Sequence, residues 1–171
     1  MRVGLGFDSH RFDAAVPLVL GGVEIPDHPG LAGHSDGDAV AHAVTDALLG
    51  AAGLGSIGEH FPDDDPDLAG ADSLQILAEA VRLVEGENYQ VVNVDVSVVA
   101  ESPRIAPHAV GMREALAERL GVGPGQVSVR GKSAEGMGWI GRSEGLAVLA
   151  VALLDRIADL DTLHASLRAG G

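Results

Sequence analysis

Cysteine is absent from this chain of 171 residues, and aromatic side chains make up only 3% of it. Without cysteine there are no disulfides and no thiolate metal sites, so imidazole and carboxylate groups are the strong metal ligands that remain. With few aromatics, the core must be built from valine, leucine, isoleucine and alanine. No apolar run reaches membrane-spanning length, and the first residues do not show the charged segment followed by an apolar segment that is typical of a signal peptide. We therefore expect a cytoplasmic enzyme.

Positive charge is also scarce, because 11 lysine and arginine residues stand against 25 aspartate and glutamate residues, a formal net charge of −14. Nucleic acids and anionic membranes are polyanions, so this balance argues against both as partners. An anionic small substrate would need a metal ion or local cationic side chains. The length predicts a single domain, which we place at residues 1–156, followed by a polar C-terminal tail at 157–171 that is in part disordered.

The most informative stretch covers residues 33–53. Alanine, valine and leucine recur there with helical spacing, which predicts a helix with one buried stripe. Asp36 or Asp38 would cap its first turn. The polar residues of the helix are predicted to project together from its other side: Asp38, His42, Thr45 and Asp46. An ordinary amphipathic helix with solvated polar residues would show the same pattern.

The N-terminal segment supplies partners for His42. Alternation over residues 2–10 predicts a half-buried strand that ends in Asp8 and His10, and these two side chains share one face of it. One carboxylate and two imidazoles with an open fourth position are typical of catalytic zinc. Asp38 or Asp46 would then orient an imidazole. A polar pair at a strand end, without a metal, is the alternative interpretation.

A second group of residues suits phosphate. Lys132 and Ser133 follow a predicted strand, and Arg104 lies in a proline-fixed loop at the end of another. A P-loop is excluded, because the first glycine of that motif would fall on Gln126. The cations and the hydroxyl suit a diphosphate, and Glu135 suits a harder divalent ion that also binds phosphate oxygens. A solvated loop arginine is the alternative for Arg104.

Two further patterns concern the scaffold. Gly21 and Gly22 stand between apolar runs and predict a tight hairpin. Residues 146–154 form a continuous apolar run, which predicts a strand buried on both faces, or a helix. Burial on both faces in so small a chain indicates a subunit interface. Trp139, with glycines on both sides, is expected at the surface or at an interface.

Several short motifs occur together in one known family. They are Gly-Phe-Asp8-Ser9-His10, the hairpin at 20–26, the residues 34–38 and 45–50, Phe61-Pro62-Asp63, and the segments 70–73, 93–95 and 141–145. In order and spacing they resemble the 2-C-methyl-D-erythritol 2,4-cyclodiphosphate synthase family, over all but the C-terminal tail.

The resemblance implies an α+β fold, with a mixed sheet and helices packed on one face. It implies a homotrimer with the sheets around the threefold axis and active sites between subunits. The implied reaction converts 4-diphosphocytidyl-2-C-methyl-D-erythritol 2-phosphate into the 2,4-cyclodiphosphate and CMP, in the non-mevalonate isoprenoid pathway.

The resemblance also implies residue roles. Asp8, His10 and His42 would hold Zn²⁺ and Glu135 would help hold Mg²⁺ or Mn²⁺, while His34 and Ser133 would be catalytic and steady the transition state. The methylerythritol pocket would be lined by Ser35, Ser56, Ile57, Gly58, Phe61 and Asp63. The cytidine-phosphate pocket would be lined by Ala100, Pro103, Arg104, Ala106 and Lys132, in part from a neighbouring subunit.

The remaining contacts implied for the substrate are Ser9, Asp65, Trp139 and Arg142, in addition to Asp8, His10, His34, Ser133 and Glu135. Arg142 and Glu144 match family positions near the trimer axis, where an isoprenoid diphosphate would bind in the central cavity.

The chain departs from the family at several positions. Ser56 stands where an aspartate is usual, which weakens the expectation for polyol recognition. Lys132-Ser133-Ala134 replaces a run with two threonines, and Trp139 replaces a phenylalanine. None of these touches the zinc set, so we expect altered kinetics at most. Two rival hypotheses are a zinc-dependent phosphohydrolase that uses water, and a trimeric binding module without activity.

Overall fold

The computed structural model describes residues 1–33, 35–62 and 70–157 of the chain. Its strands are β1 (Arg2–Leu20), β2 (Val23–Leu31), β3 (Tyr89–Val99), β4 (Val127–Lys132) and β5 (Gly145–Arg156). Its helices are α1 (Ala39–Ala52), α2 (Ile57–His60), α3 (Ser73–Gly86), α4 (Ala109–Leu120) and α5 (Gly138–Gly141), and Pro124–Gln126 forms a 3-10 turn. No helix in these three ranges is long and apolar enough to cross a membrane.

The strands form one mixed sheet in the order β2-β1-β5-β3-β4. Only β3 and β4 run parallel, and the other neighbours are antiparallel. The predicted α+β fold with a mixed sheet is confirmed. The predicted hairpin is confirmed too, because Gly21 and Gly22 join β1 to β2 with φ of +57° and +74°. Two consecutive positive φ angles are what a tight hairpin turn requires, and glycine adopts them without strain.

Helix α1 packs directly on β1 because the strand has glycine at the contact points. A Cβ atom on Gly4 would stand 2.0 Å from the Ala47 carbonyl oxygen, and one on Gly6 would stand 1.9 Å from that of Ala43. The helix is rich in alanine on this side, so its backbone can approach closely. This contact brings the side chains of α1 next to those of β1, where the candidate site lies.

The other face of the sheet is apolar and open in the single chain. Val3, Leu5 and Phe7 of β1 are 68%, 65% and 56% exposed, and Leu149 and Val151 of β5 are 39% and 41% exposed. Within one chain, residues 146–154 are therefore not buried on both faces, and their expected burial at a subunit interface stays a prediction. The run is a strand, but α1, α3 and α4 pack on one side of the sheet only.

Candidate metal and phosphate site

Three side chains converge where β1 passes beneath the first turn of α1. The Nε2 atom of His10 lies 2.9 Å from Oδ2 of Asp8, and the Nδ1 atom of His42 lies 3.1 Å from the same oxygen. One ligand atom from each of the three residues lies within 4.8 Å of the others. A carboxylate oxygen and two imidazole nitrogens at this spacing can hold one divalent metal ion. The predicted three-residue set is therefore brought together.

The two chain elements position the set in different ways. Asp8 and His10 lie on one face of β1, as their spacing predicts, but they lie in the middle of the strand and not at its end. The strand continues to Leu20 because it pairs with β5 up to Arg11 and then with β2 from Phe12 onward. His42 reaches the same place from α1, one residue before the Gly6–Ala43 contact.

The electrostatics favour a charged carboxylate in this set. Burial by itself would raise the pKa of Asp8, but the hydrogen bonds and the charge of the His10 and His42 imidazoles outweigh it and hold the pKa of this carboxyl well below its usual range. Asp8 is therefore ionised at neutral pH. A carboxylate that is already deprotonated is the form that a metal ion binds.

The far nitrogens of both imidazoles have hydrogen-bond partners. Nδ1 of His10 lies 2.6 Å from the Ala32 carbonyl oxygen. Nε2 of His42 lies 2.9 Å from the Ser73 hydroxyl and 3.1 Å from the Ser35 hydroxyl. Such partners fix the orientation of each ring and its tautomer.

The prediction that Asp38 or Asp46 orients an imidazole is wrong. Asp38 is fully buried, caps α1, and accepts hydrogen bonds from the backbone amides of Gly21 and Gly22 at 2.8 and 2.7 Å. Asp46 accepts from the backbone amide of Ile57 at 2.7 Å. Thr45 is also fully buried, so only His42 and Asp46 of the four polar residues predicted on this face line the cleft.

A cleft of about 380 Å³ opens beside the three candidate ligands. Four of its lining residues were predicted for the polyol pocket: Ser35, Ile57, Gly58 and Phe61. The others are Ala32, Gly33, Asp46, Pro62 and Ile76. Ser56 is not among them. Its hydroxyl donates to the Glu59 carboxylate at 3.0 Å, at the start of the short helix α2.

A second cleft, of about 350 Å³, lies at the ends of the parallel strands β3 and β4. It brings together the residues predicted for the nucleotide, which are Ala100, Pro103, Arg104, Ala106 and Lys132, with Ser133, which was predicted to be catalytic. Glu101 also lines it, and its carboxylate accepts from the amides of Ala134 and Gly136 at 2.9 and 3.0 Å. Glu101 therefore fastens the loop that carries Glu135, a function that the sequence did not reveal.

The two clefts share no lining residue. Glu135 lies on the side of the second cleft, where the hydroxyl of Ser133 donates to its carboxylate at 2.5 Å. In the described ranges the three-residue set around Asp8 does not include Glu135. Within one chain, the predicted second metal ligand and the predicted zinc ligands are thus not assembled into one site.

The remaining predicted residues lie elsewhere. Ser9 and Trp139 line a third, more open cleft beside Glu144, and Trp139 is 38% exposed, which confirms the surface position expected for it. The Nε atom of Arg142 donates to the Glu144 carboxylate at 2.6 Å. The predicted residues His34, Asp63 and Asp65 lie outside the described residues, as does the tail from 158 to 171.

The fold and the site together define an α+β protein with an Asp-His-His centre that can hold a divalent metal ion, in a cleft lined by polar and apolar groups. The YgbB family matches residues 1–155, and the chain belongs to that family.

Individual relatives agree with this membership. A protein of Gemmatimonas aurantiaca named 2-C-methyl-D-erythritol 2,4-cyclodiphosphate synthase is 54% identical over 154 residues, which cover 90% of this chain and 93% of the relative. A solved synthase of the same name, in a form with bound CDP, is 38% identical with a TM-score of 0.82, and the match covers 90% of this chain and all of that one. The bifunctional IspDF of Campylobacter jejuni is 41% identical with a TM-score of 0.87; the match covers 91% of this chain but only 42% of that longer one.

Proposed function

We propose that this chain is a cyclising enzyme of the non-mevalonate isoprenoid pathway. It converts 4-diphosphocytidyl-2-C-methyl-D-erythritol 2-phosphate into 2-C-methyl-D-erythritol 2,4-cyclodiphosphate and CMP. Family membership and the names of its relatives support this reaction. The observation that carries the proposal is the Asp8, His10 and His42 set in the lining of the first cleft.

The reaction requires positioning and charge neutralisation more than a protein nucleophile. The 2-phosphate of the substrate attacks the β-phosphorus of its own diphosphate, and CMP leaves. The ligand set of one carboxylate and two imidazoles suits Zn²⁺, which when bound would polarise the phosphate under attack. Ser133 and His34 are proposed to steady the charge that develops in the transition state.

The first cleft is proposed to hold the methylerythritol part of the substrate. Backbone and side-chain groups of Ser35, Ile57, Gly58 and Phe61 line it, and Asp46 holds the amide of Ile57 in place. Asp63 and Asp65 are proposed as further contacts. Because the Ser56 hydroxyl is engaged by Glu59, recognition of the polyol rests on the other lining groups.

The second cleft is proposed to hold the cytidine diphosphate part. Arg104 and Lys132 supply positive charge in a chain whose net charge is −14, and a diphosphate needs such local cations. A solved relative that carries CDP supports a nucleotide ligand of this kind. Glu135 is proposed to help hold a second divalent cation, Mg²⁺ or Mn²⁺, between the two phosphates.

We further propose a homotrimer whose active sites lie between subunits, with the sheets around the threefold axis. The open apolar face of β1 and β5 supports an interface, since a monomer rarely leaves such a face in water. The separation of the two clefts supports a shared site, because one subunit would supply the zinc ligands and its neighbour the nucleotide cleft. Arg142, Glu144 and Trp139 would then border a central cavity suited to an isoprenoid diphosphate.

Residues 1–156 are proposed as the single catalytic domain, with the tail at 157–171 outside it. The cytoplasmic location remains a prediction, as does the absence of nucleic acid and membrane partners.

Product analysis tests the reaction. The purified chain, loaded with zinc and magnesium, is incubated with the cytidine substrate, and the products are identified by ³¹P NMR. We expect the cyclic diphosphate and CMP from the wild type, and neither from His42→Ala. A linear hydrolysed diphosphate would instead indicate a phosphohydrolase that uses water, and zinc binding without CMP release would indicate a binding module.

Mixing two inactive variants tests the shared site. His42→Ala damages only the first cleft and Lys132→Ala only the second, so neither variant alone should turn over. In trimers refolded from equal amounts of both, about a quarter of the sites would pair an intact first cleft with an intact second one and regain activity. No recovery from a verified mixed trimer would mean that both clefts of a site come from one chain.

A further inference from the structure

We infer that Ser73 and Asp36 are positioning residues that hold the His42 ring in its metal-binding orientation. This inference rests on the metal site of the proposed function and adds two residues to it. Neither residue lines the cleft beside the metal ligands, so neither is placed to touch a substrate there. Their effect would pass through His42.

The contacts of His42 fix the direction of its hydrogen bonds. Nδ1 faces Asp8 at 3.1 Å, so in the metal-bound state this nitrogen would be the ligand and its lone pair would go to the metal ion instead of to a proton. The ring proton therefore stands on Nε2, which lies 2.9 Å from the Ser73 hydroxyl. The Nε2–H group donates, and Ser73 accepts.

Ser73 accepts well because its own hydrogen is directed away. Its hydroxyl donates to the Asp36 carboxylate in a short contact, and its backbone amide donates to the other oxygen of the same carboxylate at 3.2 Å. A carboxylate that accepts a hydrogen bond from the hydroxyl increases the electron density on the serine oxygen. The chain of contacts thus runs from carboxylate to hydroxyl to imidazole to the metal position.

The chain of contacts from Asp36 through Ser73 to His42 lies at the starts of two helices. Ser73 is the first residue of α3, and Asp36 also accepts from the amide of Asp38, the cap of α1, at 3.1 Å. A carboxylate at helix N-termini is stabilised by their unpaired amides. Ser73 is fully buried, so water does not compete for its hydroxyl. The start of α3 therefore fixes the position of a ring on α1.

Ser35 is the second hydroxyl near Nε2, and the structure distinguishes it from Ser73. It lies at 3.1 Å instead of 2.9 Å, and it lines the cleft. Its oxygen lies 3.2 Å from that of Ser73 and 3.3 Å from the amide of Gly37. Among the hydrogen bonds of the described residues, none joins the Ser35 hydroxyl to a carboxylate. We therefore expect Ser73 to be the stronger partner of His42 Nε2.

The test is the zinc affinity of the full chain, measured by competition with a chromophoric chelator. Ser73→Ala should weaken zinc binding about 10- to 100-fold, the usual cost of losing the partner of a metal-bound histidine. Asp72→Ala is the matched control, because Asp72 caps the same helix end through the Leu74 amide. It should lower the melting temperature but leave zinc affinity within about threefold of the wild type.

A double-mutant cycle and an NMR measurement distinguish a positioning role of Ser73 and Asp36 from a general loss of structure. Asp36→Asn should weaken zinc binding less than Ser73→Ala, and the double variant no more than Ser73→Ala alone, because Asp36 acts through the serine. In ¹⁵N NMR of the zinc-loaded wild type, the Nε2 proton of His42 should be protected from exchange, and it should lose that protection in Ser73→Ala. If Ser73→Ala does not fold, Asp36→Asn is measured in its place against the same control.

Three outcomes would overturn the inference: zinc affinity of Ser73→Ala within about threefold of the wild type, an equal loss in Asp72→Ala, or additive effects in the cycle. A wild type that binds no zinc would overturn the metal site itself, which is a different result.

Discussion

Gly6 of β1 lies directly against the backbone of Ala43 in α1, so close that a Cβ atom on the glycine would stand 1.9 Å from the alanine carbonyl oxygen. Asp8 lies two residues after Gly6 on the strand and His42 directly precedes Ala43 in the helix, and the same contact brings Asp8 Oδ2 and His42 Nδ1 within 3.1 Å of each other. The spacing between strand and helix therefore sets the geometry of the metal site. Gly6, which is not itself a metal ligand, therefore sets the distance between the strand and the helix that carry the ligands.

Gly6→Ala should therefore separate α1 from β1. We expect a loss of about 3 kcal/mol or more in the free energy of unfolding, because the added methyl group meets backbone and not a flexible side chain. Zinc affinity should fall as well. Chemical denaturation and chelator competition measure the two effects.

Gly50→Ala is the control variant, placed in α1, the helix that Gly6 contacts. Gly50 has open space around its Cβ position, so alanine should stabilise the helix by about 0.5–1 kcal/mol and leave zinc binding unchanged. Equal behaviour of the two variants would contradict the role assigned to the Gly6–Ala43 contact.

Thr45 provides a second prediction. Its hydroxyl is buried and has no hydrogen-bond partner within the described ranges. Thr45→Val removes that hydroxyl and keeps the shape, so it should raise the free energy of unfolding by about 1 kcal/mol. Thr45→Ala should not give this gain, because it also removes a packed methyl group. A destabilised valine variant would mean that the hydroxyl has a partner, such as an ordered water.

Thr45 also shows what the sequence pattern of a single helix does not predict. Its spacing from His42 placed it on the polar side of α1, but the helix is buried around most of its circumference, with eleven of its fourteen residues buried. The periodicity of one helix cannot show how many neighbours surround it. The α1 boundaries, in contrast, follow from local chemistry, namely the Asp38 cap and the left-handed Gly53.

The apolar outer face leads to a prediction about assembly. Leu5→Asp places a charge in the middle of the exposed β1 stripe, so it should disrupt the proposed trimer and abolish turnover, since the two clefts of one site would no longer meet. Sedimentation velocity measures the assembly. Val110→Asp is the control, because Val110 is 60% exposed on α4, away from that face, and the variant should remain trimeric and active. A trimeric Leu5→Asp would place the interface elsewhere.

The pKa of Asp8 leads to a prediction about pH. Since this pKa lies below the ordinary value of about 4, the charged carboxylate stabilises the metal-free fold at every pH above that value. That stabilisation is lost only as the pH falls further. Zinc release on acidification toward about pH 5 would then not come from protonation of Asp8. Carboxyl ¹³C NMR of Asp8 should show no titration between about pH 8 and 5; a midpoint inside that range would contradict the prediction.

The candidate site was only partly visible in the sequence. Asp8 and His10 share a strand face by simple alternation, and His42 was indicated by its place on a helix. The hydrogen-bond partner of His42 was not predicted, because Ser73 is 31 residues from His42 in the sequence. The pair Asp72-Ser73 is also typical of an ordinary helix start. Glu101 was missed for a similar reason, since its two amide contacts arise only after a turn returns residues 134–136 to it.

Zinc-edge anomalous scattering from crystals grown with zinc would locate the ion among Asp8, His10 and His42. We expect one strong peak about 2.0–2.2 Å from His10 Nε2, His42 Nδ1 and an Asp8 carboxylate oxygen, and no such peak in His42→Ala crystals. Wild-type crystals in which these three side chains point apart, with no anomalous peak among them, would contradict the metal site and with it the proposed cyclisation.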